Sequence, residues 1–247
     1  RVGGNVNGLK IKPAKLAGIE SFGMCCGGNE LGIESDTSGI VELDASLPIG
    51  KDIKEILPIE DVLIEVDNKS LPNRPDLWGH YGIAREFATI FKRTLKPMAL
   101  EDLNQYNNLK PLNIKVETKN CFRYCGVTVE NVINKISPAL IKLRLNYCGM
   151  RDINLLADLT NYVMLELGQP MHAFDLSTLE GSSIVVRRAE EGEELVTVGF
   201  DLYVFENKIL KNSRCKRASI VADKYYKVPK CDKTPANRPV VVGFGPA

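Results

Sequence analysis

Residues 9 to 57 alternate apolar and polar positions in short runs broken by glycine. "LKIKPAKLAGIES" carries the alternation to Gly18, the chain turns through Gly23 and Gly27-Gly28, and "SGIVELD" supplies a further short strand. Short strands joined by glycine turns suit a small barrel, which this segment is too short to close alone. The period then changes. After a strand at "VLIEV" comes a turn-rich stretch with Asn68, Ser70, Pro72, Asn73 and Pro75, and then Trp78, Ile83, Ala84, Phe87, Ile90 and Phe91 recur at helical spacing, with Asp76 placed to cap. Residues 92 to 111 are polar and weakly periodic between two prolines, the pattern of a linker.

A second alternating block starts at 112. "LNIKVET" and "RYCGVTVENV" read as strands. "SPALIKLRLNYCG" reads as a helix with Ser137 as N-cap, Pro138 in the first turn, Leu140, Ile141, Leu143 and Leu145 as apolar positions, and Gly149 as the stop. "INLLADLTNYVMLELG" repeats the pattern, ends on Gly168, and carries a stripe of Leu155, Leu159, Tyr162, Val163 and Leu167 that core packing explains. "SSIVVRRAEEGEELVTV" (182 to 198) is a strand, a charged turn and a strand. Strands mixed with two helices predict an α+β protein.

The chain has 247 residues, 44% hydrophobic and 26% charged, enough to bury a real core. No apolar run approaches the roughly eighteen residues of a membrane span, and no signal peptide is visible. A cytoplasmic location without a membrane partner is therefore expected. The start at Arg1 reads as that of a fragment or a processed piece. Charge is uneven: from Glu206 onward there are ten Lys/Arg against three Asp/Glu, a surface that either attracts nucleic acid or is simply solvated. The seven cysteines (25, 26, 121, 125, 148, 215, 231) lack paired C-x-x-C spacing, and with only two histidines they read as buried thiols in a reducing compartment, with no metal site.

Three stretches carry a family resemblance. "FRYCGVTVENV", "LRLNYCGMRDINLLADLTNYVMLELGQPMHAFDLSTLEG" and "IVVRRAEEGEEL" resemble the editing domain in the β subunit of bacterial phenylalanyl-tRNA synthetase. "LKIKPAKLAGIESFGMCCGGNELGI" with "SGIVEL" is similar to the later strands of that subunit's OB-type tRNA-binding domain, and "IEVDNKSLPNRPDLWGHYGIAREFA" to the segment that follows it. The resemblance implies an incomplete OB-type region over 1–57, a strand-turn-helix segment over 58–95, a linker over 96–111, an incomplete editing-type α+β domain over 112–200, and a non-matching tail over 201–247. It further implies a heterotetramer with an α subunit, phenylalanine tRNA as partner, and hydrolytic editing of mischarged tyrosine within phenylalanine–tRNA ligation. ATP and magnesium would serve the complete enzyme, with neither bound by this fragment, which alone would be inactive.

On the family's pattern, His172 of "GQPMHAFD" lines the editing pocket, with Asn161 and Thr160 of "TNYV" beside it, binding and orienting rather than abstracting a proton; no residue of the fragment is itself catalytic. By residue type alone, His172 equally fills a helix-to-loop corner, satisfied by backbone. Lys10, Lys12 and Lys15 are tRNA-backbone candidates on a solvated strand face. His80 reads as a helix-start residue contacting backbone; Arg74 and Arg85 are candidates to meet phosphate, with Arg74, between two prolines, equally placed to brace the turn.

The resemblance fades at about Val198. "RPVVVGFGPA" then reads as a strand running into G-x-G-x-x, similar to the start of the FAD-binding domain of flavoprotein dehydrogenases, and stops before a dinucleotide site is complete. The tail thus reads as a flavoprotein segment joined to a synthetase segment, or as a divergent synthetase end. A free-standing tRNA-editing or tRNA-binding module and an FAD- or NAD-linked oxidoreductase are the rival functions.

Overall fold

The computed structural model describes residues 2–6, 8–33, 39–71 and 73–188, together with strand segments 194–196, 202–206, 209–210, 220–221 and 238–244. In chain order the elements are β1 (Asn5–Val6), β2 (Leu9–Lys10), β3 (Ala14–Leu16), β4 (Ile19–Ser21), α1 (Ile53–Ile56), α2 (His80–Ile90), β5 (Asn113–Val116), β6 (Cys125–Val132), α3 (Ala139–Tyr147), α4 (Leu155–Leu167) and β7 (Met171–Asp175). Then follow β8 (Ser183–Arg187), β9 (Glu194–Val196), β10 (Leu202–Glu206), β11 (Ile209–Leu210), β12 (Ile220–Val221) and β13 (Arg238–Phe244). Helices mixed with small open sheets make the α+β class that the patterning predicts. The chain divides into two compact units, residues 1–70 with 135–162 and residues 71–134 with 163–247, and α4 runs from one into the other.

In the first unit, β1 pairs with β2 and β3 with β4, both antiparallel, as two separate hairpins. The unit's core is Ile33, Leu57 and Leu143, packed with Leu43, Ile53 and Tyr147. Short α1 starts at Asp52, whose side chain accepts from the Lys54 backbone N–H at 3.0 Å, the N-cap bond expected of an aspartate. α3 buries both Leu143 and Leu145 completely, one on each side of the helix. The strands expected at "SGIVELD" and "VLIEV" do not form among the described residues. Val62, Leu63, Ile64 and Val66 are instead exposed, because β propensity yields a strand only where a neighbour supplies the hydrogen-bond ladder.

The second unit holds three sheets of three strands. β8 lies between β5, to which it is parallel, and β12, to which it is antiparallel. β13 lies between β6 and β7, antiparallel to both. β10 joins β9 and β11. The strands flanking the charged turn of 182 to 198 therefore enter different sheets. β8 buries alternate residues, Ile184 and Val186, against Cys121, Tyr124 and Leu179.

α2 departs from the amphipathic expectation. Its one buried residue is Gly82, while Trp78, Phe87, Ile90 and Phe91 of the apolar stripe are exposed. Asp76 does not cap the helix, whose N-cap is Gly79. Its carboxylate instead accepts a bidentate pair from Arg74, at 2.9 Å each, and a further bond from Arg85 at 2.9 Å, and Arg74 also reaches Glu86 at 3.0 Å. Arg74 above all, with Arg85, holds the Asp76 carboxyl well below the usual carboxylate range. Both arginines therefore brace the turn.

Candidate functional site

The path to His172 begins where α4 ends. Gly168 takes φ +74°, the left-handed conformation that glycine adopts without a Cβ penalty, and its N–H donates to Met164 at 2.8 Å. The start of α2 packs here: a Cβ on Gly79 would fall 2.4 Å from the Gly168 nitrogen. His80, first residue of α2, sets its Nδ1 2.8 Å from the Leu165 carbonyl oxygen, the backbone contact expected of it. Gln169 and Pro170 then lead into β7.

His172 stands on that strand and is exposed. It is neither at a helix-to-loop corner nor packed into a core. Register gives it unusual neighbours: across the sheet, His172 on β7 faces Gly243 on β13, which faces Gly126 on β6. Directly opposed residues of an antiparallel sheet share a face, so the two residues level with the imidazole bring no side chain of their own to it. Two residues on, Phe174 lies 6.0 Å from the imidazole, centroid to centroid, and packs against the Cys121–Tyr124 core. His172 thus has the Phe174 ring on its own strand and two glycines level with it across the sheet.

Thr160 and Asn161 belong to the first compact unit, on α4. The Thr160 hydroxyl donates to the Ala157 carbonyl at 2.8 Å within its own helix, and half-buried Asn161 has no side-chain hydrogen bond among the described residues. Lys10, Lys12 and Lys15 are exposed, and none meets a carboxylate among the described residues. Their apolar alternates Leu9 and Leu16 are exposed as well, so this strand surface has no buried face.

Two features escaped the sequence reading. The expected core stripe of α4 is only half-buried or exposed, and the buried residue of the helix is Asp158, 1% exposed. Its carboxylate accepts from the Ser137 hydroxyl and from the Ile153 N–H, so Ser137 serves as a tie between segments rather than the N-cap of α3. The cysteines also differ from expectation: Cys121 is buried, while Cys25, Cys125 and Cys148 are exposed. Among the described residues no group of three or more His, Cys, Asp or Glu is arranged to hold a metal.

Tyr124 anchors the core with its ring, but its buried hydroxyl has no hydrogen-bond partner among the described residues. Burial, with the Cys121 thiol adding to it, pushes the phenol up from 10.0 to about 12. A proton held longer in the folded chain stabilises the fold below the unfolded value and is lost as a source of stability as pH climbs from about 10 to about 12. Tyr124→Phe is expected to raise stability at neutral pH by about 1 kcal/mol, since an unsatisfied hydroxyl disappears, and to flatten the decline above about pH 10. Urea unfolding at neutral pH and at about pH 11 checks both; a lower midpoint at neutral pH would show that the hydroxyl has a partner.

Residues 120–219 match the B3/4 domain. The matched region covers 100 of the 247 residues and continues past Val198, where the resemblance visible in the sequence fades. Over most of its length the chain is similar to phenylalanine–tRNA ligase β subunits. It is 43% identical over 194 residues to that of Anaeromyxobacter dehalogenans (77% of this chain, 24% of the relative). It is 45% identical over 189 residues to that of Dickeya dadantii (76% and 23%) and 39% identical over 207 residues to that of Clostridium acetobutylicum (82% and 26%). The chain spans about a quarter of the length of these relatives. Among the described residues no helix is long and apolar enough to cross a membrane.

Proposed function

We propose that the chain contributes tRNA binding and hydrolytic editing to a phenylalanine–tRNA ligase, as part of a β subunit working with an α subunit in the cytoplasm. The observation that carries the reading is the row Gly126–Gly243–His172, where an exposed imidazole stands level with two residues that have no side chain. His172 would orient the terminal ribose or a water, and Asn161 offers a donor and an acceptor not engaged among the described residues. Thr160 supports the reading least, since its hydroxyl is engaged within α4. Lys10, Lys12 and Lys15, which meet no carboxylate among the described residues, would serve the tRNA backbone. ATP and magnesium serve the ligation step of the complete enzyme, and no residue of this chain is assigned to them.

Editing answers a physical need. Tyrosine differs from phenylalanine by one hydroxyl, and an apolar pocket rejects such an addition only about a hundredfold, so a second site that selects the hydroxyl by hydrogen bonding restores fidelity. The oxidoreductase reading is disfavoured by β13: it is antiparallel to both neighbours, whereas a dinucleotide fingerprint opens from a parallel sheet. Gly245, the second glycine of that motif, lies outside the described residues.

In the assembled α–β enzyme, His172→Ala is expected to slow hydrolysis of tyrosyl-tRNA by about tenfold or more while phenylalanine charging stays intact. Deacylation of tyrosyl-tRNA, measured beside aminoacylation, gives the answer. Unchanged hydrolysis would remove His172 from the mechanism.

A further inference from the structure

The loop between β5 and β6 presents one side chain in an unusual way. Phe122 is 97% exposed, yet Cys121 beside it is 4% exposed and Tyr124, two residues on, is 7%. Single exposed apolar side chains are common, so exposure alone decides nothing. Here the flanks are fixed. Thr118 Oγ1 accepts from the Asn120 N–H at 3.2 Å, the Thr118 carbonyl accepts from the Cys121 N–H at 3.4 Å, and the Cys121 thiol donates to the Arg123 carbonyl at 3.4 Å. The ring is held outward by a loop pinned on both sides, so little ordering is needed when a ligand meets it.

Charge narrows the choice of ligand. Lys119 and Arg123 flank the ring, both exposed and neither paired with a carboxylate among the described residues. No Asp or Glu occurs from 118 to 129, and Glu117 just before is engaged by Lys115 at 2.6 Å. A flat π face with a cation to each side of it along the loop suits a partner that offers rings and negative charge in alternation, which is the repeating unit of an unpaired polynucleotide. One ring and two charges supply too little apolar area to hold a bilayer stably.

We propose that this loop binds single-stranded nucleic acid, an unpaired base stacking on Phe122 while adjacent phosphates meet Lys119 and Arg123. The inference goes beyond the editing reading and uses none of its residues. The full chain is titrated, by fluorescence anisotropy, into a labelled oligouridine of about twelve nucleotides and into a duplex of the same length. Single strand is expected to bind more tightly than duplex, Phe122→Ala to weaken it about tenfold, and Phe122→Trp to retain affinity with indole fluorescence quenched on binding. Lys119→Ala with Arg123→Ala should flatten the slope of log affinity against log salt by about 1.4. The proposal fails if Phe122→Ala stays within about twofold of the parent, if duplex binds as well as single strand, or if no oligonucleotide binds. It fails too if phosphatidylglycerol vesicles capture the chain through Phe122 and outcompete the oligonucleotide. Because tyrosyl-tRNA hydrolysis is read separately with His172→Ala, failure of one idea leaves the other standing.

Discussion

Gly82→Ala is expected to destabilise the second unit by about 3 kcal/mol, the upper end of the cost of overpacking. Helix propensity alone would give the opposite sign, because alanine inside a helix is favoured over glycine by about 1 kcal/mol. Space decides the matter. A Cβ at position 82 would sit 1.5 Å from the Asp76 carbonyl oxygen and 2.6 Å from its carbon. That oxygen belongs to backbone, so no rotamer change relieves the overlap. Nor can the turn Pro75–Trp78 swing away freely, since Asp76 is held by Arg74 and Arg85 and Arg74 is also tied to Glu86 on α2. The methyl group must push α2 off the turn it rests on. Gly149→Ala is the control: it meets nothing within 4 Å and costs only the strain of φ +74°, about 1 kcal/mol. Urea midpoints of the two variants should separate clearly, with proteolysis entering first near 71–91 in Gly82→Ala. A Gly82→Ala midpoint at or above that of the parent would show that the close approach does not exist.

Local signals in the sequence foretell the structure where local chemistry alone determines the outcome. Gly149 and Gly168 were legible as helix stops because a C′ residue in the left-handed region nearly demands glycine. The strands at 113–116 and 125–132 were legible because their alternation has real ladder partners, β8 for one and β13 for the other. "VLIEV" shows the same alternation without a partner and forms nothing, which no period can foretell. Asp158 was hidden for a related reason: a carboxylate on a helix reads as a solvated face, and only the placement of Ser137, a distant residue in sequence, turns it inward.

The candidate site shows the same division. His172 drew notice by scarcity and by family resemblance, both properties of one short stretch. What gives it room is the alignment of Gly126 with Gly243, residues so far apart that only sheet register brings them level. Gly243 itself attracted attention as part of a nucleotide-binding turn. In the sheet its place is different: it is the central residue of that row, so substitution there bears on the same face of the sheet as His172. The row also places a local demand on β13, whose neighbours on both sides require extended backbone through Phe244.

Loss of the Asp158 carboxylate is the second large effect. Asp158→Ala is expected to cost about 2–3 kcal/mol, because the buried Ser137 hydroxyl loses its acceptor, at about 1–3 kcal/mol, while the N–H of exposed Ile153 loses a bond of about 1 kcal/mol. Asp158→Asn keeps one carbonyl oxygen of nearly the same shape, so one of the two bonds survives and the cost falls to about 1–2 kcal/mol. Ser137→Ala removes the donor and leaves the carboxylate its bond to Ile153, at about 1 kcal/mol. If the tie is real, the effects of Ser137→Ala and Asp158→Ala cannot simply add: once the carboxylate is gone, deleting the hydroxyl removes a stranded donor and recovers part of the loss. A coupling of about 1–2 kcal/mol in the double-mutant cycle is the expected signature. Additive effects would mean that Ser137 and Asp158 do not share a hydrogen bond, and the anchorage of the turn that leads to Thr160 and Asn161 would have to be sought elsewhere.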